Sequence, residues 1–243
     1  MPSAVALLVA AGSSRRFGGD TSKTLLPLGG KPLFLWSLEA LEDSPSISAI
    51  LIAVRAEDRP GYSAVLARFP ATKFRPPLVL GGETRSHSVR NLLAALAGSP
   101  PELVLIHDAA RPFPSRPGID AVVAAAAEAG CATFAAPVTD TLSRSNDQAL
   151  LCERVPREGL WAVQTPQAFR YDLLVDAYRR WPADAAAPTD ETTVMYAAGH
   201  PARCIVSGTD NLKITHPADF ALAEALLAAR TRPASPPSPE GQA

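Results

Sequence analysis

Val5-Ala6-Leu7-Leu8-Val9, running into Ala10-Ala11-Gly12-Ser13-Ser14-Arg15-Arg16-Phe17-Gly18-Gly19-Asp20-Thr21-Ser22-Lys23, decides the fold. Its first five residues form an unbroken apolar run, the pattern of a strand buried on both faces of a parallel sheet. Similar runs recur at Ile47 to Val54, Leu78 to Leu80, Leu103 to Ile106 and Ala132 to Val138. Between them stand amphipathic stretches, Leu33 to Leu41, Ser88 to Leu96 and Ile119 to Ala129, long enough for crossover helices. Strand, helix and strand repeated in this way predict right-handed βαβ units and an α/β fold, a doubly wound, mostly parallel sheet of Rossmann-like kind. Ligands bind such sheets beyond the carboxyl ends of the strands, which is where the loop at Gly12 falls.

The rest of the chain fits one domain. It has 243 residues, 47% of them hydrophobic, enough for a sizeable core. Lys plus Arg number 23 against 24 Asp plus Glu, a net charge of −1. That balance argues against a general grip on nucleic acid and leaves room for a local basic pocket. Cys131, Cys152 and Cys204 lie far apart, so neither a disulfide framework nor a CxxC metal site is expected. No apolar run approaches the roughly 20 residues that span a bilayer. The first strand begins without a charged leader, so a soluble protein of the reducing cytoplasm is expected. The alternation breaks after Pro137, and residues 139–160 are polar without a helical stripe, which reads as a projecting β-like arm. A strand at Cys204 to Val206 and a helix from Pro217 to Arg230, with Phe220, Ala223, Leu226 and Leu227 on one face, close a domain of residues 1–231. The Pro/Ser-rich residues 232–243 read as a disordered tail.

The Gly12 loop offers backbone N–H groups of the kind that cradle phosphates. A dinucleotide fingerprint is excluded, because Ser14 and Phe17 stand where glycines are required; a P-loop from Gly12 meets Phe17, and one read back from Gly30-Lys31 meets Leu25. Arg16 and Lys23 remain, spaced to reach one polyphosphate from two sides, although the loop also reads as a solvated turn with surface cations. Leu103 to Ile106 leads into His107, Asp108 and Arg111. Asp108 suits Mg²⁺ or a sugar hydroxyl, with a loop N-cap as its plainer reading, and Arg111 suits a phosphate. Neighbours on a strand point to opposite faces, so His107 is expected as a packed core histidine rather than a partner of Asp108. Gly81 to Ser88 is a glycine turn opening a helix. Thr165-Pro166-Gln167 and Thr189-Asp190-Glu191 read as helix starts, and Lys213 reads as a surface lysine before the last helix. The absence of GxSxG, HExxH and any His/Cys cluster removes serine hydrolases and zinc enzymes.

Together these residues carry a resemblance. Gly12 to Lys23 with Leu25 to Pro32 resembles the signature of sugar-nucleotide-type nucleotidyltransferases. Six further stretches narrow it: Gly81 to Val89, His107 to Pro112, Ala136 to Thr141, Gly159 to Phe169, Thr189 to Glu191, and Asn211 to Thr215. The ordered set resembles the 2-C-methyl-D-erythritol 4-phosphate cytidylyltransferases of non-mevalonate isoprenoid synthesis over roughly residues 4–229. The resemblance implies that Arg16 and Lys23 hold the CTP triphosphate and stabilise charge on its α-phosphate. It implies that Ala10, Ala11, Gly12, Gly82, Glu83 and Ser88 surround the nucleotide, Ser88 reading cytosine. Asp108, Arg111, Thr141, Arg157, Thr165 and Lys213 are implied on the sugar-phosphate side, with Arg157 reaching the neighbouring subunit of a homodimer. Mg²⁺ is the implied cofactor, held mainly by the CTP phosphates. The chain departs from the family pattern at Ser22-Lys23-Thr24, where Pro, Lys and Gln are common, and at Val9 and Glu83, where Pro and Asp are usual.

The implied chemistry suits the residues. A phosphate oxygen attacks the α-phosphorus and expels pyrophosphate. That nucleophile is already anionic, so no general base is needed, and the cations Arg16, Lys23 and Lys213 supply positioning and charge neutralisation. A cytidylyltransferase for another polyol phosphate, such as ribitol 5-phosphate, and a non-catalytic nucleotide-binding regulator of the same fold are the alternatives.

Overall fold

The protein is described as a computed structural model covering residues 2–12, 22–182, 184–208 and 210–231. Arg16 and the expected tail lie outside these residues.

In chain order the first elements are strand β1 (Ala4–Val9), the hairpin β2 (Pro27–Leu28) and β3 (Lys31–Pro32), helix α1 (Leu33–Asp43), β4 (Ile47–Val54), α2 (Arg59–Leu66), β5 (Val79–Leu80), α3 (Arg85–Ala95), β6 (Leu103–Asp108) and α4 (Arg116–Ala129). Then come β7 (Cys131–Pro137), β8 (Leu142–Ser145), β9 (Leu151–Val155), β10 (Trp161–Arg170), α5 (Tyr171–Arg180), α6 (Glu191–Ala197), β11 (Arg203–Val206) and α7 (Pro217–Thr231). Seven strands form one sheet in the order β11-β7-β10-β6-β1-β4-β5. All neighbours are parallel except β10, which runs antiparallel to both β6 and β7. From β1 the chain winds outward through β4 to β5 and then returns to β6 on the other side of β1. The switch point, and with it the crevice that accepts ligands, lies between β1 and β6, whose last residues Val9 and Asp108 are paired.

Side-chain alternation builds the two apolar layers. From β1 and β6, Leu8 and Leu105 face Phe34 and Leu38 of α1 and Ile119 and Val122 of α4. Leu7 and Ile106 face the other way, against Val89 and Leu92 of α3, Leu174 of α5 and Met195 of α6. Full burial of a side chain such as Leu7 contributes about 1.5–3 kcal/mol. A third cluster, Leu28, Leu33, Phe113, Ile214 and Ala223, seats α7 on the β2–β3 hairpin. That hairpin turns through Gly29 and Gly30, both at positive φ, as a tight two-residue turn requires.

The α/β architecture expected from the apolar runs is present, with several local differences in element bounds, three of which bear on the site. The strand expected to stop at Ile106 continues to Asp108, which is therefore a strand residue and not a loop cap. Helix α3 begins at Arg85 rather than Ser88, because Thr84 caps it by accepting from the His87 N–H. Thr165-Pro166-Gln167, expected as a helix start, lies inside β10. A register shift between Gln164 and Gln167 accommodates the proline there, and the polar residues at the shift hide the strand pattern. The arm is a hairpin of β8 and β9, its residues almost all exposed. Among the described residues no helix is long and apolar enough to cross a membrane.

Candidate active site

Three loops meet at the carboxyl edge of the sheet. Ala10 at the end of β1 donates to the Ala53 carbonyl at 2.9 Å, Gly81 after β5 donates to Val54 at 2.9 Å, and Ala109 after β6 donates to Val9 at 3.0 Å. Gly81 lets two of these loops touch, since a Cβ there would lie 2.3 Å from the Ala11 Cβ and 2.9 Å from the Ser88 Oγ. Ser88 braces the turn: its hydroxyl donates to the Thr84 carbonyl at 3.0 Å and accepts from the Gly82 N–H at 3.1 Å. Its single proton is thus spent locally, leaving acceptor capacity for a ligand. Ala11 and Gly82 are partly accessible, whereas Gly12 and Glu83 are exposed.

Beside these loops sits a charged group centred on Asp108. The Asp108 Oδ1 accepts from Arg85 Nε at 2.8 Å, and its Oδ2 accepts from Lys213 Nζ at 2.6 Å. Its backbone N–H donates to the Thr165 Oγ1 at 3.1 Å, which ties β6 to the register shift in β10. Arg85 turns its other side to Glu191, with Nη1 at 2.7 and 3.0 Å from the two carboxylate oxygens, and Tyr178 donates to Glu191 at 3.0 Å. Burial opposes charge on Asp108, yet Arg85 and Lys213 together hold its carboxyl well below the usual range. Burial raises the Glu191 carboxyl, and Arg85 and Tyr178 pull it partly back. Each residue is delivered by an element end: Asp108 closes β6, Arg85 opens α3, Glu191 opens α6 behind its capping Asp190, and Lys213 precedes α7.

Arg111 crosses to the segment before α7, its Nη1 donating to the Asn211 carbonyl at 2.7 Å. Burial lowers its pKa. Its Nε and the Arg85 Nη2 are buried donors without an acceptor among the described residues. Asn211 in turn donates to Gln164 Oε1 at 2.7 Å and to the Thr165 carbonyl at 3.0 Å. Lys23 reaches the same segment, its Nζ 2.6 Å from the Ile214 carbonyl. His107 is a packed histidine, as expected: its ring contacts the Arg111 carbonyl at 2.9 Å and Thr165 Oγ1 at 3.2 Å. Burial pushes its pKa down to about 4, so the ring is neutral near neutrality.

The structure therefore gathers Lys23, Asp108, Arg111, Thr165 and Lys213, and lines up Ala10, Ala11, Gly12, Gly82 and Ser88 on the adjoining loops. Lys213, read from spacing alone as a surface lysine, is exposed as that reading expects, but its ammonium is paired with the buried Asp108 carboxylate. Thr141 and Arg157 are not brought to this group. Both are exposed on the arm, where the Arg157 guanidinium donates to the Thr139 carbonyl. Sequence reading missed Arg85, Tyr178, Glu191 and Asn211. All but Tyr178 lie in stretches that local rules assign to turns and caps, and only the third dimension shows that Arg85 spans Asp108 and Glu191. A protein-held metal does not fit Asp108 as arranged, since each of its oxygens already faces a cation. Among the described residues no group of three His, Cys, Asp or Glu is placed to hold a metal ion.

Adjoining backbone loops and a cluster of cations at the switch point of a doubly wound sheet suit a phosphate-bearing ligand, as a nucleotidyltransferase requires. The family model of 2-C-methyl-D-erythritol 4-phosphate cytidylyltransferase matches residues 4–229. The chain belongs to that family. A cytidylyltransferase of that name from Cereibacter sphaeroides is 42% identical over 92% of this chain and 96% of its own. A protein named bifunctional enzyme IspD/IspF, from Desulforudis audaxviator, is 40% identical over 93% of this chain, which spans 57% of that longer relative. The crystal structure of 2-C-methyl-D-erythritol 4-phosphate cytidylyltransferase from Thermus thermophilus superposes with a TM-score of 0.72 at 34% identity, covering 94% of this chain and all of its own.

Proposed function

We propose that the chain transfers CMP from CTP to 2-C-methyl-D-erythritol 4-phosphate, giving 4-diphosphocytidyl-2-C-methyl-D-erythritol and pyrophosphate. The observation that carries this reading is the charge balance around Asp108. Arg85, Arg111 and Lys213 outnumber the carboxylates Asp108 and Glu191, and two buried guanidinium nitrogens have no acceptor among the described residues. Such a group has both an anion site and a hydroxyl-accepting carboxylate, which a polyol phosphate satisfies together.

In the reaction an oxygen of the polyol phosphate attacks the α-phosphorus of CTP. The new P–O bond forms as the bond to the β-phosphate breaks, and pyrophosphate leaves with the electron pair. Lys23, and Arg16 with it, stabilise charge accumulating on the α-phosphate, whereas Lys213 and Arg111 hold the attacking phosphate in line. Asp108, kept ionised by its two cations, accepts from the polyol hydroxyls. The Gly81–Gly82 turn and the end of β1 enclose the base, with Ser88 bracing the turn. Mg²⁺ in this reading would be held mainly by the triphosphate rather than by Asp108, and would supply charge neutralisation there.

In this reading the enzyme is cytoplasmic, and the arm with its neighbouring surface supports a homodimer. Leu151 on the hairpin, at 76% exposure, and Trp161 at the start of β10 just beyond it, at 43%, are large apolar side chains, surface that a second copy would cover. Arg157 and Thr141 then act on the partner's sugar phosphate. Phosphorus NMR of protein, CTP and methylerythritol phosphate tests the reaction: two coupled diphosphate resonances and free pyrophosphate are expected. CTP left intact beside methylerythritol phosphate overturns the reading.

A further inference from the structure

We propose that the buried hydroxyls of Ser22, Thr24 and Tyr62 form a positioning ladder that aims Lys23 at its ligand. This rests on the phosphate-binding role given above to Lys23 and adds what holds that lysine in place.

Lys23 opens a single 3₁₀ turn, Lys23–Leu25, closed by two backbone hydrogen bonds, Leu25 N–H to Ser22 at 2.9 Å and Leu26 N–H to Lys23 at 3.1 Å. So short a turn has little stiffness of its own. The residues on both sides of Lys23 carry hydroxyls that point into the protein: Ser22, Thr24 and Tyr62 are 1%, 4% and 0% exposed. The Ser22 Oγ lies 2.7 Å from the Thr24 Oγ1, and the Thr24 Oγ1 is hydrogen-bonded to the Tyr62 hydroxyl. Ser22 makes no capping bond to the turn's own backbone, so its hydroxyl is committed to the ladder. Tyr62 is the fixed end. It belongs to α2, and its ring packs on Phe34 with centroids 4.7 Å apart. Burial pushes its pKa up to about 12, so it keeps its proton across the working range.

The two flanks of Lys23 are thus tied to the core, and its ammonium is tied to Ile214, next to Lys213. A turn needed only for packing has no use for two buried hydroxyls linked to a third on α2, each of which demands a partner. A turn that must hold one cation within a fraction of an ångström of a developing charge does.

The backbone supplies a way to separate positioning from packing. Ser22 sits at φ −56°, within the range a proline ring fixes. Thr24→Val breaks the ladder at its centre and is expected to lower kcat at least ~10-fold while both KM values stay within about 3-fold. The variant Ser22→Ala/Thr24→Val/Tyr62→Phe removes all three hydroxyls together, so thermal stability returns to near the wild-type value and kcat stays low. Replacing that alanine by proline, in Ser22→Pro/Thr24→Val/Tyr62→Phe, stiffens the turn and is expected to raise kcat at least ~5-fold over the alanine triple variant. Equal kcat in the two triple variants, or wild-type kcat in the alanine one, overturns the ladder. Lys23→Ala run alongside separates the two layers of the argument. Full turnover by Lys23→Ala removes the role of Lys23 and the ladder with it, whereas loss of turnover there, with no effect of the hydroxyls, refutes the ladder alone.

Discussion

Arg85→Met perturbs the centre of the charged group without changing side-chain length greatly. Arg85 is the cation facing Glu191, whose side chain is fully buried, and one of two facing Asp108. The substitution strands a carboxylate that water does not reach. Removing one partner of a buried pair costs about 3–5 kcal/mol, less whatever Glu191 recovers by protonation. For a chain of this size that corresponds to roughly 6–20 °C in Tm. Activity is expected to fall as well, because Asp108 then answers to Lys213 alone and turns toward it. The double variant Arg85→Met/Glu191→Leu separates the two effects. With both buried charges gone, stability is expected to return to within ~1–2 kcal/mol of wild type, while activity stays low because Asp108 still lacks its second cation. Urea midpoints and pyrophosphate release on the same preparations measure both. A single variant within about 1 kcal/mol of wild type, or a double variant with full activity, would refute the reasoning.

Other expectations are narrower. His107 has a folded-state pKa of about 4 against about 6.5 unfolded, so its contribution is present above pH 6.5 and is lost as pH falls to 4, roughly 3 kcal/mol in all. Asp108, with its depressed pKa, keeps its contribution through that window; His107→Gln should therefore flatten the slope of urea midpoints between pH 6.5 and 4.5. Gly81→Ala puts a methyl 2.3 Å from Ala11 and should raise KM for CTP about 10-fold with little change in KM for the polyol phosphate. Trp161→Glu with Leu151→Glu should halve the mass seen by light scattering; an unchanged mass removes these residues from the interface. Mixing Arg157→Lys with Lys23→Ala subunits should restore part of the activity each variant lacks, and absence of recovery assigns Arg157 to its own subunit.

The sheet was legible because buried parallel strands leave largely apolar runs, and β1, β4 and the first four residues of β6 are such runs. Strand β10 was not, since Gln164, Thr165 and Gln167 are polar and Pro166 is a strand breaker by every local rule; only a register shift reconciles them with the sheet. Asp108, Arg111 and the Gly81 turn were legible as residues at strand ends, where chemistry is expected. Arg85 and Glu191 were not: 106 residues separate them, and each has a sufficient local explanation as a first-turn residue. Lys213 illustrates the same limit from the other side, being ordinary in sequence and paired with a buried carboxylate in space.

The central claim is that one site joins a cytidine nucleotide to a branched tetritol phosphate. It is tested by measuring kcat/KM for pyrophosphate release with CTP, UTP, ATP and GTP, each against methylerythritol phosphate and ribitol 5-phosphate. The pair of CTP and methylerythritol phosphate is predicted to exceed every other combination by ~10²-fold, the scale that buried polar groups matched to one ligand provide. A higher value for ribitol 5-phosphate contradicts the sugar-phosphate assignment. Equal values for all four nucleotides contradict the reading of the Gly81 turn and the β1 loop as a cytosine site.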